Sequence, residues 1–250
     1  MIDFNNEILT EKIRLHAVAE YPRESCGLIL SNGEYLPCEN TAADPEHDFR
    51  IDIKEMTRDI AAIVHSHPDG PGEPSASDMQ SQIACGVPFG ICVSYLDYAE
   101  RPFFWGDGLP VTPLLGRQFR HGPSGTDGRG DCYALVRDWY REVRGVTLPD
   151  FPRDNDWWRN GEDLYTAHFE EAGFRPLSTS EQPERGDVAL IIVPRSNVVN
   201  HAAIYIGNDL FLHHLYNRLS GREPVGRWQR HIVRWIRYDP ASDSARLVTA

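Results

Sequence analysis

A glycine- and proline-rich stretch in mid-chain, residues 106–130 (GDGLP…TPLLG…HGPSGTDGRG), most constrains what this polypeptide can fold into. Neither a helix nor a central strand runs through such composition, so regular structure must form separately on either side of it. At 250 residues the chain is long enough for two modest domains, each with its own core. The reading is a first domain over 1–107, a linker over 108–130 and a second domain over 131–240.

In the first segment, residues 4–20 are expected to form an amphipathic helix with Ile8, Ile13, Leu15 and Ala19 as its apolar positions. Cys26–Leu30 followed by Ser31-Asn32-Gly33 predicts a strand and hairpin. A strand over 60–66, a helix over 75–85 and strands over 87–95 and 101–105 complete an α/β/α arrangement. In a strand, positions i and i+2 share a face, so His65 and His67 of Val64-His65-Ser66-His67-Pro68 can grip one ion together. Prolines 68, 71 and 74 and glycines 70 and 72 then break the chain into a loop. Ser75 opens the next helix and returns Asp78 within its first turn. Two imidazoles and a carboxylate leave a fourth tetrahedral position open, which is how catalytic zinc sites are built. Ser75-x-x-Asp78 also reads as a capping box.

His-Ser-His, seven residues, Ser, two residues, Asp resembles the JAMM metallopeptidase signature. The resemblance implies an upstream glutamate before a Gly-Leu strand, and Glu24 in Pro22-Arg23-Glu24-Ser25-Cys26-Gly27-Leu28 holds that place. It implies zinc on His65, His67 and Asp78, with Glu24 as the base for the attacking water and Ser75 steadying the oxyanion.

After the linker, Asp131–Val143 has helical periodicity, with Leu135, Val136, Trp139, Tyr140 and Val143 as the apolar stripe. Asp131 can cap this helix and puts Cys132 in its first turn, where the helix dipole favours a thiolate. Gly186–Ile191, Asn200–Gly207 and Leu210–His214 read as strands. A three-residue loop at Gly207-Asn208-Asp209 sets His201 diagonal to His213 on one sheet face. His201 is then the base for Cys132 and His213 its orienter. A two- or four-residue loop brings His214 opposite instead, so strand register decides between the two histidines.

Asp-Cys at a helix start, Gly-Asp-Val, and His-x-x-Ile-Tyr-x-Gly with a second His twelve residues on resemble the NlpC-type cell-wall endopeptidases. That likeness implies a papain-like α+β domain with Cys132 as nucleophile, His201 as base and His213 as orienter. Tyr133 stands where many members carry a serine. The two domains in this order, with Pro-Leu-Leu-Gly-Arg-Gln-Phe before the cysteine helix, resemble the tail-tip assembly protein K family of lambda-like phages. The resemblance implies a particle-borne peptidase acting on peptidoglycan peptides or a tail protein, with other tail-tip proteins as partners and a place in the virion tail tip or the host cytoplasm. The alternative is an assembly component whose peptidase sites are secondary. A third reading, an isopeptidase acting on ubiquitin-like tags, fits a cell-wall-type second half poorly.

Composition narrows the classes further. A formal charge of −12 and pI near 5.2 leave no basic stripe for nucleic acid. The acidic start without an apolar h-region reads as no signal peptide, and no apolar run approaches the ~18 residues of a membrane span. Five cysteines without CxxC spacing suit a reducing compartment rather than a disulfide framework. Histidines 16, 47, 121, 168 and 231 have no partner at ligand spacing and read as surface or capping residues. Trp157 and Trp158 with Phe151 and Tyr165 offer the floor of a substrate groove, with core or inter-domain packing as the favoured reading. Arg227, Arg230, Arg234 and Arg237 read as an exposed strand face, and Glu181–Asp187 as a solvated loop.

Overall fold

The computed structural model describes residues 2–52 and 54–239, which divide into two compact units. The first comprises residues up to Pro110 together with Gly125–Asp127; the second comprises Val111–Ser124 and the chain from Gly128 onward. The sequence reading of 108–130 as a linker meets a different use of those residues. Within the second unit, Arg117, Arg120 and His121 are buried, and Arg117 Nη1 donates to Asp138 Oδ2 at 2.7 Å. Gly-Pro composition here marks irregular backbone that is packed and hydrogen-bonded.

The first unit is a five-stranded mixed sheet in the order β2-β1-β3-β4-β5. The strands are β1 (Cys26–Leu30), β2 (Tyr35–Cys38), β3 (Ile60–Pro68), β4 (Phe89–Ser94) and β5 (Phe103–Trp105). Helix α1 (Glu7–Glu20) starts at the Asn6 cap and packs Leu9, Ile13 and Ala17 against Ile29, Val64 and Phe104. The buried stripe therefore runs i, i+4, i+8 from Leu9; Ile8 and Leu15, expected inside, lie 71% and 62% exposed. Helix α2 (Ala76–Cys85) is the crossover between parallel strands β3 and β4. On the sheet face opposite α1, Ile63, Ile91 and Trp105 pack with Phe49, Ile51 and Met56.

β3 outruns its expected end and includes both His65 and His67, so both share the face of Ile63. Gly27 of β1 lies where a Cβ would meet the Tyr35 ring at 2.6 Å.

The second unit is a six-stranded antiparallel sheet in the order β10-β9-β8-β7-β11-β6. Its strands are β6 (Phe174–Pro176), β7 (Val188–Ile191), β8 (His201–Gly207), β9 (Leu210–His213), β10 (Gly221–Pro224) and β11 (Ile232–Tyr238). Helix α3 (Cys132–Trp139) buries Leu135, Val136 and Trp139 against Val188, Ala202 and Leu212; α4 (Leu164–His168) is a short helix capped by Asp163. Tyr140–Arg144 continues α3 as one π turn ending at left-handed Gly145. That wider turn shifts the helical phase, and Val143, expected in the stripe, is 41% exposed.

Two further readings change in the packed molecule. Arg237 is not a surface cation: its guanidinium donates to both Asp187 carboxylate oxygens at 2.9 and 2.8 Å, and lies 3.4 Å from Glu181. The acidic 181–187 run thus anchors the last strand. All five cysteines are free thiols.

Replacing Gly27 by Ala is expected to destabilise the first unit by roughly 1–3 kcal/mol, the usual cost of overpacking a filled core. Denaturant titration of the purified chain checks this, and Gly33→Ala serves as a spatially open comparison, although its positive φ adds backbone strain of its own.

Candidate metal and cysteine sites

In the first unit, His65 and His67 project from β3 towards Asp78 in the first turn of α2. His65 Nε2 lies 3.0 Å from His67 Nε2, and Asp78 Oδ1 and Oδ2 lie 3.3 and 3.6 Å from His65 and His67 Nε2. A tetrahedral ion with ligands at about 2.0–2.1 Å needs ligand atoms about 3.3 Å apart. The three separations bracket that value, with Asp78 turning a different oxygen to each histidine, and the three side chains lie close enough together to share one ion. The tautomer fits as well. His67 Nδ1 hydrogen-bonds the Pro71 carbonyl at 2.7 Å, which places the proton on Nδ1 and turns the Nε2 lone pair inward. Phe49 stacks on His65 at 4.4 Å and excludes water from one side.

Asp78 belongs to both sequence readings at once. Its Oδ2 accepts from Ser75 N at 2.8 Å and Ser75 Oγ at 2.7 Å, closing the capping box, while Oδ1 turns to His65. Burial raises its pKa, yet the two histidines outweigh this and hold the carboxyl well below the usual carboxylate range. Ser75 is exposed, with its hydroxyl proton on Asp78.

Glu24 is buried immediately before β1. Burial lifts its pKa to about 7, opposed by the charge of His67 and reinforced by Asp78 and Asp48. A carboxyl poised there can take and return a proton near neutral pH. Its backbone is held by a residue absent from the sequence reading. Asn40 Nδ2 donates to the carbonyls of Glu24 and Asp48 at 2.9 and 3.0 Å, and Asn40 Oδ1 accepts from Ala42 and Arg50 N–H groups. An asparagine in a loop carries no spacing signal, so only the packed chain reveals this clasp.

In the second unit, Asp131 caps α3 by accepting from Ala134 N at 2.8 Å. Its other oxygen accepts from Arg153 Nε at 2.7 Å and Gly122 N at 3.1 Å. A cap contributes about 1 kcal/mol, whereas breaking a buried ion pair costs about 3–5, so Arg153 is the larger anchor of this helix start. Arg153 Nη1 also donates to Asp150 at 2.8 Å.

Cys132 Sγ lies 3.1 Å from the Tyr165 hydroxyl. Contrary to the thiolate expected from the helix dipole, burial and then the Asp131 charge push this thiol up to about 11, against lowering by Tyr165 and the Ala202 N–H. The dipole acts, but desolvation beside a carboxylate outweighs it.

His201, at the start of β8, places Nε2 3.0 Å from His213 Nδ1. The register behind this is Ala203 opposite His213, which sets His201 diagonal to it. Two residues, Asn208 and Asp209, both at positive φ, form the turn; a bulge between Tyr205 and Gly207 adds the missing residue. A tight turn plus a bulge thus yields the register of a three-residue loop. His214 is fully buried against Phe119. Burial holds His201 well below its ordinary value, with His213 and His214 lowering it further, so it rests as the neutral imidazole a base must be. Because Nε2 is engaged by His213, Nδ1 is the His201 ring nitrogen that lies outside this contact. Trp157, Trp158, Phe151 and Tyr165, for which the sequence reading favours packing over a groove floor, line a cleft of about 140 Å³ together with Cys132 and His201.

Comparison with known proteins agrees with both halves. The profile of prokaryotic homologues of the JAB domain matches residues 6–105, and that of the NlpC/P60 family matches residues 116–237. Solved structures give only low similarity: NlpC1 of Trichomonas vaginalis superposes with a TM-score of 0.37 at 20% identity, over 50% of this chain and 39% of that one. The two family profiles define a chain that joins a JAB-like domain to a cysteine-peptidase-type hydrolase domain. It is 34% identical over 239 residues to tail tip assembly protein K of Escherichia phage N15, covering 91% of this chain and 93% of that protein. It is 40% identical to the phage lambda protein of the same name, over 70% of this chain and 80% of that one. The chain belongs to the tail tip assembly protein K family.

The raised Cys132 pKa fixes a pH dependence. A thiol with its pKa above the ordinary value of about 8.5 is less ionised at every pH below it, so iodoacetamide modification of Cys132 is expected to keep rising beyond pH 9 rather than level off. Tyr165→Phe removes a lowering hydrogen bond and is expected to slow modification at pH 8. Peptide mass mapping of the alkylated chain reads both.

Proposed function

We propose that the chain is a tail-tip peptidase with two hydrolytic centres, a zinc-dependent JAMM-type site in the first unit and a cysteine endopeptidase acting on peptidoglycan peptides in the second. The observation that carries the cysteine reading is the 3.0 Å His201–His213 contact, which leaves Nδ1 of a neutral imidazole outside that contact on a residue lining the same cleft as the capped helix-start Cys132. In this reading His201 Nδ1 takes the Cys132 proton as sulfur attacks the scissile carbonyl carbon, and a C–S bond forms. The N-terminal end of α3 stabilises the oxyanion. The C–N bond then breaks, His201 returns the proton to the leaving amine, and water hydrolyses the thioester. Proton transfer concerted with attack suits a thiol whose resting pKa is high. The aromatic cleft fits the alkyl parts of a cross-linking peptide.

In the first unit, His65, His67 and Asp78 are the residues that would hold zinc. Zinc, when bound, supplies Lewis acidity and a lowered pKa for water. Glu24 accepts the proton of the attacking water and delivers it to the departing amine. Ser75 orients Asp78; its hydroxyl serves the substrate oxygen only by exchanging that hydrogen bond. Action at the virion tail tip or in the host cytoplasm during assembly, alongside other tail-tip proteins, is the reading that membership of the tail tip assembly protein K family supports. The second reading, an assembly component with idle sites, is separated from the first by activity alone.

Purified chain incubated with peptidoglycan sacculi is expected to release peptide fragments identifiable by mass, and Cys132→Ser to release none. Undiminished release by that variant rejects the cysteine assignment. Metal analysis is expected to give about one zinc per chain, lost in His65→Ala/His67→Ala. Glu24→Gln is expected to keep the zinc while abolishing chelator-sensitive hydrolysis; loss of metal in that variant would make Glu24 a ligand rather than a base.

A further inference from the structure

A fourth residue continues the cysteine site's histidine chain. Glu223 lies on β10, the edge strand paired with β9, two positions along from Gly221, which sits opposite His213. Its carboxylate is only about one-fifth exposed. Oε2 turns inward, accepting from Trp228 Nε1 at 2.9 Å and lying 3.7 Å from His213 Nε2. Oε1 faces the exposed guanidinium groups of Arg218 and Arg227 at 3.7 and 3.8 Å. The Trp228 ring lies edge-on to His213 at 5.3 Å and 6.1 Å from His201, walling both imidazoles.

The His201–His213 contact permits two proton arrangements. In one, His201 Nε2–H donates to His213 Nδ1, and His201 Nδ1 keeps a lone pair for the cysteine proton. In the other, His213 Nδ1–H donates, and Nδ1 of His201 carries a proton that blocks it as a base. At 3.7 Å Glu223 is an electrostatic rather than a hydrogen-bonded neighbour of His213 Nε2, and its negative charge favours the proton on Nε2, and with it the first arrangement.

We propose that Glu223 is a positioning residue of the cysteine site, selecting through His213 the tautomer in which His201 can accept the proton of Cys132. This rests on the reading of Cys132 as nucleophile and His201 as base. Burial keeps His213 neutral, down to about 4, with Glu223 raising and His214 and Arg218 lowering it. A neutral imidazole has a tautomer to choose, and the carboxylate beside it makes the choice.

The test joins a tautomer measurement to kinetics on the full chain. Nitrogen-15 spectra of histidine-labelled protein at pH 7 are expected to show His213 protonated on Nε2 and His201 carrying its lone pair on Nδ1. Glu223→Gln keeps the volume and removes the charge; it is expected to mix or invert both tautomers. The same variant is expected to lower kcat on peptidoglycan peptides about tenfold or more at unchanged KM, less than the ~10⁴ that follows loss of a directly bonded orienter. Glu223→Asp is expected to restore part of both. Unchanged tautomers with unchanged kcat in Glu223→Gln overturn the proposal, as does a loss of kcat that tracks loss of folded protein with wild-type tautomers. Should Cys132→Ser hydrolyse like the parent, the nucleophile reading fails separately, and the tautomer spectra still decide what Glu223 does.

Discussion

A carboxylate taken out of water must find cations or N–H donors, and both centres of this chain are organised by that requirement. Asp131 sits at the start of α3, buried, with one oxygen capping the helix and the other held by Arg153. Desolvation would neutralise an unpaired carboxyl at this position; the guanidinium keeps it charged and immobile. Cys132, the next residue, inherits that placement. Asp78 solves the same problem at the start of α2, where one oxygen closes the capping box and the other meets His65.

This economy has a consequence for the chemistry. The negative charge that positions Cys132 also opposes its ionisation, so placement and thiolate stability pull against each other. In the proposed peptidase reading, holding the resting cysteine as a thiol leaves deprotonation to a correctly oriented neutral imidazole. That transfers the demand for precision from the helix start to the sheet, where His201, His213 and Glu223 are aligned across three neighbouring strands, β8, β9 and β10.

At the candidate metal site, the placement of three side chains follows from local geometry. His-x-His on a strand shares a face whatever surrounds it, and a capping box four residues long brings Asp78 back by helix geometry alone. Glu24 entered through resemblance to a signature, and it is buried, with its pKa raised to about 7, within electrostatic reach of His67 and Asp78. Asn40 and Glu223 were invisible, and Tyr165 was visible only within the aromatic group and not as a contact of Cys132, because each acts through a contact between segments distant in the chain and none sits at a diagnostic spacing. The Gly-Pro stretch misled in one respect: composition reports that backbone is irregular, and says nothing of whether Arg117 or His121 will be buried in it.

What the sequence determined by itself is local and periodic. It set which residues could form strands and helices, that two patterned halves flank an irregular stretch, that His65 and His67 face one way, and that Cys132 opens a helix. What it left open was decided by long-range packing. The phase of α1 turned on which stripe met the sheet, so Leu9 rather than Ile8 is inside. The choice between His213 and His214 turned on one bulged residue between Tyr205 and Gly207, since a shift of one position exchanges the faces of a strand. The protonation of Cys132 turned on burial, which no helix-start rule contains. Spacing along a chain constrains neighbours within a turn or a strand, and the energies of register and desolvation arise only when distant segments meet.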